Sequence, residues 1–200
     1  SGVGSFTSTN FTNSSTVNQS VTTMTVGTYD NNGTVNQTAG TANITALNIG
    51  AANVFTQTGT GVLNATTTID AGGTLTLLNQ GTGTIDGKTA GDGAVIFSGD
   101  YNTDSALGAT QSLASITVNA GQTLTLVEDA NATTFTNNGT VNHSANTLTV
   151  TTLNIGANDT YNLSGTGDVA STTTNIGANA TVTQSGSGDF NSTTTNIAAG

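Results

Sequence analysis

In the C-terminal part of the chain the apolar residues fall at every second position, in short runs. Leu153, Ile155 and Ala157 alternate with Asn154 and Gly156, Tyr161 and Leu163 alternate in the same way, and Val169 stands alone after Gly165 and Gly167. Period-two alternation marks a strand with one buried side. Each run ends at Gly, Asn or Asp, the residues of tight turns. With Ile155 inward, Leu153 and Thr174 point inward as well. Thr152, Asn154, Thr173 and Asn175 then face out.

These runs repeat. Residues 151–171 and 172–192 agree at 13 of 21 positions without a gap, and a third copy begins at Thr193. The same unit starts earlier at Thr45. A T-V-N-Q/H unit recurs at 16–19, 34–37 and 140–143, and DAGGTLTL at 70–77 is answered by NAGQTLTL at 119–126. Gly33 to Gly139 and Asn48 to Asn154 are both 106 residues, so a multi-repeat block has been copied. A unit of this size cannot bury its apolar side alone, but stacking each unit on the next can. The expected fold is all-β: a right-handed parallel β-helix (β-solenoid) of about ten coils, each of roughly 18–21 residues. At about 4.8 Å per coil the rod is about 45–50 Å long. One domain is expected over residues 1–200, with an irregular insertion near 86–108. The chain opens on a Thr/Ser-rich stretch and stops eight residues into a repeat. The expectation is that more chain, or another copy stacked end to end, supplies the next coil.

Particular residues acquire roles from this register. Ile49, Ile155, Ile176 and Ile197 are expected to stack inward as one aliphatic column, each burial contributing about 1.5–3 kcal/mol. Asn154, Asn175 and Asn196 recur one coil apart and are expected to form a hydrogen-bonded Asn ladder. His143 takes the place of Gln19 and Gln37 in the sister units and reads as a surface polar residue, not a general base. Asp168 and Asp189 also stack, but Val62 takes that place in the earlier copy, which puts the pair at the periphery. Asp100, Asn102 and Asp104 have the alternating oxygens that open a calcium loop. The glycine expected next is Ser105, and the twelfth position is Gln111, so calcium is a weak candidate and no other cofactor is implied. Outward Thr rows raise ice binding, but the outward pair is Thr-x-Asn where that role asks for Thr-x-Thr.

Composition narrows the function further. One Lys, no Arg and eleven acids give a net charge of -10. No phosphate-neutralising surface can be built from that, which excludes nucleic acid as a partner. An anionic membrane repels the chain, and no apolar run is long enough for a spanning helix, so no direct membrane insertion is expected. Without Cys there is no disulfide and no thiolate metal site. With a single His and no Arg, no triad or phosphate clamp can be assembled, and the chain reads as a non-enzyme with no catalytic residues.

The segment 93–126, GAVIFSGDYNTDSALGATQSLASITVNAGQTLTL, resembles repeats in surface autotransporters of rickettsiae and related α-proteobacteria. The FTNNGTVN and LNIGAN units are similar to those of filamentous-haemagglutinin-type exoproteins. The resemblance implies a passenger domain: a secreted β-helix on the surface of a Gram-negative bacterium, used for adhesion, surface coating or filament assembly. Its implied partners are host or neighbouring-cell receptors or glycans, or other copies of itself. The alternative is a repeat subunit of an extracellular filament or surface layer, with an ice-binding or glycan-active β-helix more distant. The absence of Cys fits a chain that crosses the outer membrane unfolded.

Overall fold

The computed structural model describes residues 4–200, so the first three residues of the expected domain lie outside it. Twenty strands and no helix are present among the described residues. Every strand pair is parallel, and each joins a strand of one coil to a strand of the next. The chain therefore winds as a β-solenoid of about ten turns, and its longest sheet has ten strands.

A coil has three faces. In the coil of Thr23–Asn31 and Thr34–Gln37, Met24 and Val26 point inward from the first face. Tyr29 and Asn31 point inward from the second face, and Val35 and Gln37 from the third. Between Val26 and Tyr29 two successive residues point outward, and there one nine-residue strand bends from the first face to the second without a loop. The other corners are turns. At one of them Gly33 lies so close to the Ser15 carbonyl oxygen below that a Cβ would overlap it. Where the turn is longer, its third residue takes positive φ. Gly72, Gly121, Asn158 and Asn179 hold that place, as does Ala52 at φ 57°, for which Ala is poorly suited.

The inside of the prism is a continuous apolar core from Met24 to Val169. Aromatic rings stack along it, with Phe11 and Tyr29 at 5.0 Å and Phe97 and Tyr101 at 4.9 Å between centroids. Leu153 and Thr174 are fully buried, in line with the inward register. Ala157 is not part of the alternation. It is exposed, in the turn that follows Ile155.

The smooth bend changes corner along the rod. In the N-terminal coils the long strands cover the first and second faces, as in Thr41–Ile49. In the C-terminal coils they cover the second and third, as in Thr147–Ile155, and the short strands occupy the first. The changeover lies between residues 78 and 112. There Asp92–Phe97 pairs with Thr74–Leu77 below and Leu113–Val118 above, which keeps the third face unbroken. The second face continues through single bridges, Ile85 to Leu107 and Leu107 to Ala130. On the first face a side chain fills the gap: Gln80 Oε1 accepts the Asn102 N–H at 2.8 Å, and Gln80 Nε2 donates to the Asn102 carbonyl at 2.6 Å. The stretch 86–108 thus contributes strands to all three faces.

The 106-residue copy is therefore displaced by one face. Asn31 stands in the second-face column with Asn13 below and Ile49 and Ile69 above. Its copy Asn137 stands in the third-face column with Val118, Ile155, Ile176 and Ile197. The expected single column of Ile49 with the other three isoleucines is corrected: two columns on two faces. Ile155 is 2% exposed, Ile176 is partly buried and Ile197, on the last strand of the sheet, is 74% exposed.

Candidate functional site

The chemistry-bearing residues divide into interior polar groups, inter-coil braces and outward arrays. Inside, Asn31 Oδ1 accepts the Gly33 N–H and its Nδ2 donates to the Val54 carbonyl of the coil above. Asn137 repeats both bonds with Gly139 and Thr160. Each such Asn turns the corner and pins it to the next coil.

His143 is fully buried, which corrects the expectation of a surface residue. Its Nε2 faces the carbonyls of Ala145 and Asn146 at 3.1 and 3.2 Å, so that nitrogen carries the proton. Its Nδ1 then accepts from Tyr161 Oη at 3.0 Å. Burial holds the imidazole pKa below its ordinary value and raises that of the Tyr161 hydroxyl. Gln19 and Gln37 are buried in the matching places. The signal was in the sequence: Val141 and His143 are two apart on one strand and share a side.

Most acids act between coils. Asp100 Oδ1 accepts the Thr123 N–H at 2.7 Å, Asp129 the Thr147 N–H at 2.9 Å and Asp168 the Asp189 N–H at 2.7 Å. Asp86 receives Thr110 N–H, Asp30 receives Asn48 Nδ2 and Glu128 receives Asn146 Nδ2. Lys88 and Asp70 pair at 2.6 Å across one coil, and this bond lowers the Asp70 pKa. Sequence reading missed this bracing role. For the calcium candidate, Asp100 is held by Thr123, and the Asn102 backbone is held by Gln80. Asp104 is exposed at the corner that follows. Among the described residues no group of three or more His, Cys, Asp or Glu is arranged to hold a metal.

The outward arrays are on the faces. On the third face one column runs Thr16, Thr34, Val54, Thr74, Ala94, Ser115, Thr134, Thr152, Thr173 and Thr194. The neighbouring column runs Asn18, Asn36, Thr56, Thr76, Ile96, Thr117, Thr136, Asn154, Asn175 and Asn196. Neither column holds a charge. Asn175 Nδ2 donates to Asn154 Oδ1 at 2.8 Å, and Asn196 Nδ2 to Asn175 Oδ1 at 2.9 Å. Asn36 and Asn18 are joined in the same way. The outward pair is Thr-x-Asn only near the two ends. It is Thr-x-Thr or Ser-x-Thr on Thr74–Leu77, Leu113–Val118 and Ala130–Asn137.

Concave features are shallow. A groove of about 450 Å³ beside the second face is lined by Asp30, Asn48, Thr68, Asp70 and Lys88, of which Asp30 is paired with Asn48 and Asp70 with Lys88. A smaller groove of about 360 Å³ at the bend of the C-terminal coils is lined by Asn131, Thr133, Thr149, Thr151 and Thr172, with no charge. Compared with family models, curated proteins and solved structures, the chain matches none.

Proposed function

We propose that the chain is an extracellular structural and adhesive rod of a bacterial surface protein, without enzymatic activity. The observation that carries this reading is how its polar side chains are used. Acids, Asn and His are engaged in holding coil to coil, and a long face of ten strands is left with two uncharged outward columns, mostly Thr and Asn around Val54, Ala94 and Ile96. Such a molecule offers length, rigidity and a repetitive contact surface. The resemblance of its repeats to autotransporter passengers supplies the context. The test is display of residues 1–200 on a non-adherent bacterial host, scored for attachment to host cells, neighbouring bacteria and glycan-coated surfaces. Attachment above that of a host displaying an unrelated rod of equal length supports the reading. Attachment no greater on every surface contradicts it.

A further inference from the structure

Charge is distributed very unevenly over this rod. The net charge is -10, yet the twenty outward positions of the third face hold no charged residue. Asp30, Asp70, Asp86, Asp168 and Asp189 lie on or beside the second face, and Asp100, Asp104, Glu128, Asp129 and Asp159 at corners. Asp92 lies at the second-face end of the strand that carries Ala94 and Ile96, where its carboxylate accepts from the Thr89 N–H and hydroxyl. The first face is also poor in charge, but its sheet is broken at the changeover, where side chains span the gap: Gln80 to the Asn102 backbone and the Tyr101 hydroxyl to the Gly81 carbonyl. The third face alone is one continuous ten-stranded sheet.

Its outward residues are also graded. Val54, Ala94 and Ile96 stand on the third and fifth of the ten strands, with Thr, Ser and Asn on either side toward both ends. An apolar centre within a polar, hydrogen-bonding rim is the anatomy of a protein–protein contact. Ten strands about 4.8 Å apart and four residues deep give a face of about 48 by 13 Å. That is roughly 600 Å² per partner, or about 1,200 Å² in total, at the lower end of specific interfaces.

We infer that the third face docks a second copy of this chain, face to face about a two-fold axis near Ile96. Two copies that each carry a net charge of -10 approach with least repulsion where both present these uncharged outward columns. Parallel sheets of β-branched residues pack at about 10 Å between sheets, and Thr methyls of one copy then fall between those of the other. A two-fold contact uses the same patch on both copies and closes, so the product is a dimer. The inference deepens the surface-rod reading and rests on it for its purpose, since paired rods link neighbouring cells or thicken a surface coat.

The experiment is sedimentation velocity of the purified chain from micromolar to several hundred micromolar, at moderate salt. The expected result is a monomer–dimer equilibrium that stops at the dimer. Ile96→Asp and Thr117→Asp are each expected to weaken it at least tenfold, while Thr125→Asp on the first face leaves it unchanged. Far-UV circular dichroism reports whether each variant keeps its sheet. The chain has no Cys, so Thr117→Cys gives a single thiol per copy, which oxidation should trap as a covalent dimer. A monomer at all concentrations overturns the inference, as does a dimer indifferent to Ile96→Asp, or growth beyond two copies. If the chain stays monomeric while a displaying host still attaches, the docking fails and the adhesive reading stands.

Discussion

Residues 31–57 and their copy at 137–163 build the same corner on different faces of the prism. In both, an inward Asn closes an Asn-x-Gly turn and donates to a carbonyl one coil higher. In both, a Val and then a larger polar residue point inward after the turn: Val35 and Gln37, Val141 and His143. The partners differ. Gln37 donates to the Val62 and Gly40 carbonyls and receives Gln57. His143 has Leu163 above it in place of a Gln, and Tyr161, where the first copy has Phe55, supplies the missing hydroxyl. Corner geometry is thus local, carried by about twenty residues. Which face it lands on depends on the number of residues wound between the copies.

The comparison can be broken most strongly in the core. Phe55→Ala and Tyr161→Ala remove equivalent buried rings, and each should cost about 3–5 kcal/mol by denaturant unfolding. If the two corners are equivalent, the ring itself costs the same in both, and Tyr161→Ala exceeds Phe55→Ala only by the bond its hydroxyl makes to His143. A loss confined to one copy would separate the corners. Next come Asn31→Ala and Asn137→Ala. Each strands a Gly N–H and a carbonyl of the next coil, for about 1–3 kcal/mol apiece.

The hydroxyl difference gives a sharper test. Tyr161→Phe leaves His143 Nδ1 without a donor, while Phe55 already lacks the group, so a cost of about 1–2 kcal/mol is expected in the second copy alone. pH separates the copies too. The folded pKa of His143 lies below its unfolded value of 6.5, so the unfolded chain binds the proton more readily. Stability from this site is full above pH 6.5 and is lost as pH falls from there toward the folded pKa. His143→Gln, which installs the residue of the first copy, should flatten that part of a stability–pH curve. An unchanged curve would assign the acid sensitivity elsewhere. The smallest effect is expected at Ala52, where Gly72, Gly121, Asn158 and Asn179 hold the same turn position. Ala52→Gly should raise stability by about 0.5–1 kcal/mol through relief of the left-handed backbone.

The coil itself was legible because strand alternation and repeat spacing are local and survive copying. Leu153, Ile155 and Thr174 follow from parity alone. The face slip was not legible. A spacing of 106 residues preserves motif order while the coils between vary in length, so Ile49 and Ile155 share a motif without sharing a column. His143 was misread because a position that accepts Gln resembles surface, although its parity with Val141 placed it inside. The acids were sought as a ligand set. Their bonds to backbone N–H groups 18 to 24 residues later depend on which strand lies above, which only the stacked structure reveals.

The central claim is that one continuous third face runs through the changeover while the copied block moves to the next face. Thr34 and Thr152 lie in the same outward column, six strands apart. With spin labels at Thr34→Cys and Thr152→Cys in this Cys-free chain, dipolar electron resonance should give one narrow distance near about 29 Å. A broad distribution, as from two stacks joined by a looped-out 86–108, would contradict the account.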